Sequence, residues 1–192
     1  RSHQNANTYF NRALAYYELG MNADAIEDYT IVINLDPTDF EAWHNRALAY
    51  YNLGEVKKAF FDSKKTISLN PDYEKAYNTI GLCYFSQEKY SEAVENYTKG
   101  IELNKNDLSY YNRALAYQEL KQFDKSEMDF TSAINLNEHV DYYWGRANLL
   151  YNNKDYETSL EDYSAAIEMD SSISSLSSRK IILDLNRASA AL

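Results

Sequence analysis

The sequence predicts an all-α solenoid built from stacked antiparallel helix pairs. Three observations predict it: a ten-residue motif returns along the chain, small and aromatic residues recur at fixed spacing, and Pro and Gly are rare. The motif reads NRALAYYELG at 11–20, NRALAYYNLG at 45–54, NRALAYQELK at 112–121 and GRANLLYNNK at 145–154, with a divergent version, NTIGLCYFSQ, at 79–88. Copies at this spacing indicate one structural repeat used five times.

The repeats divide residues 1–173, and residues 174–192 follow as a separate segment. Successive repeats start 34, 34, 33 and 33 residues apart and cover 6–39, 40–73, 74–106, 107–139 and 140–173. The last segment does not complete a sixth repeat. We expect it to form a C-terminal capping helix, because the outer face of the fifth repeat would otherwise expose apolar surface.

Each repeat is predicted to begin with a helix of about 14 residues, roughly 21 Å long. When positions are numbered from 1 within a repeat, positions 4, 8 and 11 lie on one helical face. Position 4 is always aromatic and position 8 is always Ala or Gly. Gly20 and Gly54 stand where this first helix must end. The position 4 residues are Tyr9, Trp43, Tyr77, Tyr110 and Tyr143.

A second helix completes each repeat. Positions 20, 24, 27 and 28 share one face, position 20 is always Ala or Ser, and position 28 is always Ile. The sequences NLDP at 34–37 and SLNP at 68–71 end this helix in the first two repeats. Small residues at positions 8 and 20 let two helices approach closely, and one pair cannot bury its faces alone. The pairs must therefore stack.

This pattern resembles the tetratricopeptide repeat (TPR) family. That family has Trp, Leu, Gly and Tyr at positions 4, 7, 8 and 11, and Ala, Phe and Pro at positions 20, 24 and 32; the resemblance covers about 168 of the 192 residues. Here position 4 is mostly Tyr, position 8 is mostly Ala, and only Pro37 and Pro71 remain at position 32. The resemblance implies a right-handed superhelix, with a concave groove lined by the first helices, that serves as a non-catalytic protein-interaction scaffold.

Position 7 departs from the family, since four repeats have Arg there and the third has Ile80. The same four repeats have Asp at position 23, where the third has Asn96. We infer an Arg–Asp pair across the two helices of each repeat, because an unpaired ion in a helix interface is costly. A ligand-binding row of arginines is the alternative. The predicted structural ion pairs are Arg12–Asp28, Arg46–Asp62, Arg113–Asp129 and Arg146–Asp162.

The resemblance also implies which side chains line the groove, namely those at positions 2, 5, 6, 9, 12 and 13. An Asn at position 6 suits an extended peptide, because its amide both donates and accepts. This Asn row is similar to the ladder in the O-linked N-acetylglucosamine transferase family, although Thr79 and Gly145 interrupt it; alternatively, the asparagines bond to neighbouring helices. The predicted peptide-binding residues are Asn11, Asn45, Asn112, Phe10, Leu14, Tyr17, His44, Leu48, Tyr51, Lys75, Leu82, Phe85, Tyr111 and Trp144.

The chemistry of the predicted ligand follows from a second comparison. Co-chaperone members of the family hold acidic chaperone tails in a carboxylate clamp made of Lys, Asn and Arg side chains. The five clamp positions here hold Phe10, Leu14, Asn45, Lys75 and Thr79, of which two match. The remaining groove charges are mainly acidic, so an acidic tail would be repelled. We expect an extended partner segment with apolar and basic residues.

Bulk properties exclude several function classes. The formal net charge is −10, which disfavours nucleic acid, and no apolar run approaches the ~18 residues that would span a membrane. His3, His44 and His139 are far apart, and no zinc spacing, catalytic constellation or Gly-rich phosphate loop occurs. The sequence therefore predicts no enzyme, cofactor or metal. The single cysteine, Cys83, favours a reducing, cytoplasmic location.

Two alternative functions stay open. The chain does not begin with Met, which indicates a fragment or a processed product, so it could be the partner- or substrate-selecting repeat domain of a larger enzyme. A self-assembling scaffold is the other alternative. Arg179, Lys180 and Arg187 in the last segment complement an acidic groove, which predicts weak self-association through residues 174–192.

Overall fold

The computed structural model describes residues 2–169, with side chains from residue 6 onward, and this range folds into ten helices. The predicted capping helix at 174–192 lies outside the described residues. The chain divides into two compact bodies, an N-terminal body (Arg1–Lys105) and a C-terminal body (Asn106–Leu192). The N-terminal body contains α1 (Ser2–Glu18), α2 (Asn22–Leu35), α3 (Phe40–Asn52), α4 (Val56–Leu69), α5 (Glu74–Phe85) and α6 (Tyr90–Leu103). The C-terminal body contains α7 (Asp107–Glu119), α8 (Phe123–Leu136), α9 (Val140–Asn152) and α10 (Tyr156–Met169).

The helices associate as five consecutive pairs, one for each predicted repeat, and the all-α prediction is confirmed. The first helices of repeats two to five begin at Phe40, Glu74, Asp107 and Val140, the first residues of those repeats. Within the N-terminal body α2 packs on α3 and α4 on α5, and within the C-terminal body α8 packs on α9. The small residues at positions 8 and 20 are buried in every pair, which is what close helix approach requires.

All four predicted arginine–aspartate pairs are present, each within one repeat. Arg46 Nε donates to Asp62 Oδ2 at 2.7 Å, and Arg46 Nη2 donates to Asp62 Oδ1 at 3.0 Å. The other three pairs have the same two-point geometry, with Nε–Oδ2 distances of 2.6–2.7 Å. In the third repeat Ile80 is fully buried, and Asn96 donates to a backbone carbonyl of its own helix. The charged pair and the Ile–Asn pair thus occupy the same place in the fold.

Each of these arginines also stacks on the aromatic ring one turn before it, and three of them stack on a second ring one turn after it. Arg46 Cζ lies 4.8 Å from the Trp43 ring centroid and 5.7 Å from that of Tyr50, and Arg12 and Arg113 contact the equivalent rings. Arg146 contacts the ring before it, and position 11 of its repeat is Leu150. Because positions 4 and 11 share a face with the small residue at position 8, their aromatic rings are expected to fill the space between the two helices. The structure shows these rings half-buried, and in four repeats they also contact a guanidinium.

The structure contains a side-chain hydrogen bond that joins successive helix pairs and that the sequence did not predict. Arg46 Nη1 donates to Thr30 Oγ1 at 2.9 Å, and Arg146 Nη1 donates to Thr131 Oγ1 at 2.9 Å. Both threonines stand at position 25 of the preceding repeat. The sequence contains a signal for this bond. The third repeat has Ile80 in place of the arginine, and the repeat before it has Lys64 in place of the threonine at position 25. Arginine therefore ties each of these pairs to the one before it.

All five first helices end in the left-handed backbone conformation at position 15. Gly20 and Gly54 have φ of 75° and 77°, as the sequence predicts. Glu88, Lys121 and Lys154 have φ of 60°, 58° and 67° at the same place. A side chain in this conformation costs roughly 1 kcal/mol relative to Gly. Three of the five turns therefore store strain that the repeat geometry imposes.

We expect Lys121→Gly to stabilise the protein by about 0.5–1 kcal/mol, because Gly relieves the strained φ but has a more flexible unfolded state. Urea denaturation monitored by circular dichroism measures the change. The reciprocal variant Gly54→Lys serves as the control. A Cβ at Gly54 meets no atom within 4 Å, so the added side chain causes no clash. The Gly54→Lys variant should therefore lose stability through the strained backbone conformation alone. If both variants are as stable as the wild type, the left-handed conformation at position 15 does not strain the backbone.

Candidate functional site

The candidate binding site of the N-terminal body is one surface formed by its odd-numbered helices. Helix α3 contacts both α1 and α5, so the predicted positions on these helices are neighbours. Nine of the predicted residues at positions 2, 6, 9 and 12 of these helices are exposed or half-buried. We call them the odd-helix surface: Asn11, Leu14, Tyr17, Asn45, Leu48, Tyr51, Lys75, Leu82 and Phe85.

Two asparagine amides of the odd-helix surface are free to bind a ligand. Asn11 is exposed and Asn45 is half-buried, and neither side chain makes a hydrogen bond to any described residue. Thr79, at the same position of α5, is 1% exposed and donates to Lys75 O in its own helix at 3.0 Å. The alternative that Asn11 and Asn45 bond to neighbouring helices therefore fails among the described residues. The amide row of this body has two members.

Apolar side chains surround these amides. Leu14 is 41% exposed, and Leu48 and Leu82 are half-buried on the next two helices. Tyr51 and Phe85 are half-buried too, and the Phe85 ring packs edge-on against Tyr90 at 5.2 Å between centroids. Burial raises the pKa of the Tyr51 hydroxyl, so this side chain stays a neutral donor. The surface thus offers neutral hydrogen-bonding groups set among apolar contacts.

Cys83 lies in the same body but cannot act as a nucleophile there. Its side chain is 0% exposed, and burial raises the pKa of the thiol to about 12. Because the thiolate is the reactive form, the protonated thiol is inert at neutral pH. This agrees with the packing role that its position in the repeat indicates.

Position 5 contributes mainly to packing, contrary to the groove role that the resemblance implies. Phe10 packs on Tyr29 with ring centroids 5.6 Å apart, and Trp144 packs on Tyr163 at 5.2 Å. Tyr111 makes the same contact with Phe130, at 5.9 Å. These three rings are half-buried, because each leans on the ring at position 24 of its own repeat.

His44, also at position 5, is buried and leaves the candidate set. It is 3% exposed, its ring contacts Tyr73 at 5.0 Å, and its Nδ1 has no hydrogen-bond partner among the described residues. Burial, with a smaller contribution from nearby Lys75, lowers the pKa of His44 to about 4. The neutral imidazole is therefore a packing group, and protonating it opposes folding.

We expect His44 to make the protein acid-sensitive. Its pKa is lower when folded than the ordinary 6.5, so the unfolded state binds the proton first and stability falls as pH drops below about 6.5. Between pH 7 and pH 5 the loss from this group is about 2 kcal/mol. Urea unfolding across this range, for wild type and His44→Phe, measures it. Parallel pH curves for the two proteins would show that His44 does not contribute.

The C-terminal body presents its predicted positions differently. Asn112 is 7% exposed, and Asn148 Oδ1 accepts from Tyr163 Oη at 2.6 Å. At Gly145 an added Cβ would meet the Phe130 ring at 2.6 Å, so this residue is Gly because of packing. The amide row therefore does not extend through this body. The most accessible apolar side chains at these positions are Leu108, 49% exposed, and Tyr151, 37% exposed.

Family models match most of the chain. A model described as TPR repeat matches residues 14–54, and models described as Tetratricopeptide repeat match 40–73, 74–107 and 111–172. The chain belongs to the tetratricopeptide repeat family. Tetratricopeptide repeats generally act as non-catalytic protein-interaction modules, so the chain is a protein-interaction scaffold in this general sense. No curated protein sequence matches the chain significantly.

Solved structures share this tetratricopeptide fold. Pseudomonas aeruginosa PilF superposes with a TM-score of 0.81 at 16% identity, covering 96% of this chain and 90% of that chain. TTC0263, a thermophilic TPR protein of Thermus thermophilus, gives 0.76 at 19% identity, covering 94% and 98%. The first TPR of Spaghetti (RPAP3), bound to the HSP90 peptide SRMEEVD, gives 0.59 at 29% identity, covering 62% and 94%.

The described helices offer neither a membrane span nor a metal site. None of the helices in the described range is both long and apolar enough to cross a membrane. Within the same range, His, Cys, Asp and Glu side chains form no group of three or more that could hold a metal ion.

Proposed function

We propose that this tetratricopeptide repeat protein is a non-catalytic scaffold that binds an extended peptide segment of a partner protein on the odd-helix surface. The observation that carries the proposal is the pair of amides without a partner among the described residues, Asn11 and Asn45, on adjacent odd-numbered helices. Each offers a donor and an acceptor, so together they can hold the backbone of an extended ligand whatever its side chains.

The surrounding side chains favour apolar residues in the ligand. Leu14 and Leu48 flank the two amides, and Tyr17, Tyr51 and Phe85 follow one turn later on their helices. Aromatic side chains at such places typically supply most of the binding energy. The partner segment would place apolar side chains over these residues while its backbone meets the amides.

The charges favour basic over acidic residues in the ligand. Glu18 and Glu41 are exposed on the first two odd-numbered helices, against Lys75 on the third. The exposed guanidinium of Arg12 is already paired with Asp28. The positions that form a carboxylate clamp in co-chaperones hold Phe10 and Leu14, which carry no charge, and Thr79, which is buried. An acidic tail such as SRMEEVD, the peptide in the Spaghetti complex, therefore meets a single cation, Lys75, at these positions.

The test is selection from a display library of natural unstructured peptides, followed by affinity measurement on the enriched class. The variant Asn11→Ala/Asn45→Ala removes both amides. The matched control Asn34→Ala/Asn135→Ala removes two exposed amides from even-numbered helices. We expect the first to weaken binding by about tenfold or more, since two ligand hydrogen bonds are lost. The control should bind like wild type.

Three results would contradict the proposal. The first is a library that yields no binder, and the second is equal binding by both variants. The third is preferential enrichment of acidic tails, with SRMEEVD binding as tightly as the best basic or apolar peptide. Circular dichroism of each variant shows whether a loss of binding comes from unfolding instead.

A further inference from the structure

Helix α4 differs from every other even-numbered helix on its outer face. At positions 18, 19 and 22 of the repeat the other described even-numbered helices carry at least one acidic residue each, whereas α4 carries two lysines and a phenylalanine. The contrasting sets are Asp24 and Glu27 on α2, Lys57, Lys58 and Phe61 on α4, Glu92 and Glu95 on α6, Asp124, Lys125 and Met128 on α8, and Glu157 and Glu161 on α10.

The phenylalanine at the centre of this face is open to solvent. Phe61 is 64% exposed and borders a cleft of about 320 Å³ between α3 and α4, whose apolar walls are Trp43 and Tyr50. On the other side of α4, Phe60 and Tyr84 line a second cleft of about 300 Å³. A ring that is this exposed contributes little to folding, and its place beside an aromatic cleft is typical of an interaction surface.

The charge on this face is positive in a chain whose net charge is −10. Lys57 borders both clefts and forms no ion pair with a described residue. Lys64 lies over the Phe60 ring at 5.6 Å, and Lys89 lines the second cleft. The buried carboxylate here, Asp62, is already bound by Arg46, so it does not neutralise these lysines. Among the described residues, the exposed Glu55 is the acid that pairs with a lysine of this face, Lys58, at 3.4 Å.

We propose that the outer face of α4 is a second docking site, which takes an acidic segment of a partner protein that carries an aromatic or leucine side chain. The lysines would bind its carboxylates, and the apolar side chain would pack against Phe61 and Trp43. The site is about one helix long, and α2 and α6, the second helices of the preceding and following repeats, present acids that repel a continuous phosphate backbone. A short acidic protein segment therefore fits the charge pattern better than nucleic acid. The proposal does not depend on the odd-helix surface, which favours the opposite charge.

The chain supplies a matched control for the test. Lys58→Glu/Phe61→Ala removes the cation and the exposed ring at positions 19 and 22 of α4. Lys125→Glu/Met128→Ala makes the equivalent change at the same positions of α8, where Met128 is 70% exposed. The two lysines even share their local contacts, because each lies over the ring at position 11, at 5.2 Å from Tyr50 and 5.4 Å from Tyr117.

The probes are fluorescein-labelled peptides rich in Asp and Glu, each with one Trp, Phe or Leu, and the readout is fluorescence anisotropy with the full chain. Two reference probes are the same peptides with Ala in place of the apolar residue, and an oligo(dT) of similar charge. We expect at least one acidic peptide to bind, with loss of about tenfold or more in affinity for the α4 variant and within about twofold for the α8 variant. Affinity should also fall with added salt.

Four outcomes would overturn the proposal. The first is that no acidic peptide binds up to millimolar concentration. The second is that the α4 and α8 variants lose affinity equally, which would indicate nonspecific attraction. Alternatively, oligo(dT) binds as tightly as the best peptide, which would assign the face to nucleic acid. Finally, light scattering shows a dimer that the α4 variant alone abolishes, which would make a second copy of the chain the occupant.

Discussion

Replacing Arg46 by Ile is expected to destabilise the protein by about 3–5 kcal/mol at neutral pH. The change leaves the Asp62 carboxylate, which is 2% exposed, without its cation. Burial already raises the pKa of Asp62 even with Arg46 bound beside it, so the ionised form is costly in this place. Urea unfolding at pH 7 measures the loss. The loss should shrink as pH falls, because a protonated Asp62 needs no partner.

The third repeat supplies the control for this prediction. Arg46→Ile/Asp62→Asn recreates the Ile80–Asn96 arrangement, which the fold already accommodates without a charge. We expect the double variant to regain most of the lost stability, since a neutral pair avoids the desolvation that opposes a buried ion pair. It still lacks the bond from Arg46 to Thr30, so recovery need not be complete. A double variant as unstable as the single one would show that the arginine acts chiefly through Thr30 and the rings.

The cost of replacing an arginine by isoleucine should depend on how exposed that arginine is. The Arg12 side chain is 55% exposed, against 12% for Arg46, although both bind their aspartates at two points. When Arg12 is removed, water can reach this site and replace part of the hydrogen bonding that the guanidinium gave to its aspartate. Arg12→Ile is therefore expected to cost clearly less than Arg46→Ile in the same assay, and an equal cost would contradict the role of burial.

Gly145→Asn, which restores the asparagine of the predicted row, is expected to destabilise the protein by about 2–3 kcal/mol. An added Cβ would lie 2.6 Å from Cε1 of Phe130, well inside contact distance. That ring is 0% exposed and also packs on Tyr111, so it has little room to move. Thermal and urea unfolding of wild type and variant measure the effect.

A smaller side chain at position 130 provides the control for the Gly145 prediction. Phe130→Leu alone loses buried apolar contacts and should destabilise by about 1 kcal/mol. In the Phe130→Leu background, Gly145→Ala should cost less than it does with the phenylalanine present. Strictly additive losses would show that the two residues do not compete for space.

Much of the fold follows from the repeat pattern in the sequence. The recurrence of position 8, position 20 and the Ile at position 28 predicts the helix pairs, and four of the five first helices begin at the predicted residue. The arginine–aspartate pairs are also readable, because Ile80 and Asn96 change together within one chain. Such features are local, or repeat with the helical period, so sequence spacing alone constrains them.

The binding surface is less predictable, because accessibility depends on what the neighbouring helix contributes. The sequence treats Asn11, Asn45 and Asn112 alike, yet the first is exposed, the second half-buried and the third buried. It also gives His44 and Trp144 the same role, although one is enclosed and the other leans on Tyr163. Equivalent positions in a repeat share a backbone environment but not the same neighbouring side chains.

The sequence by itself determined the helix-pair repeat, its length and the charge pairing inside each pair, since these depend on residues a fixed distance apart along one chain. Only the tertiary structure decided which amides stay free, why residue 145 is Gly, and which aromatic rings meet solvent. Those outcomes depend on the volume and polarity of side chains brought together from different helices, and a single Cβ against a buried ring is enough to change them.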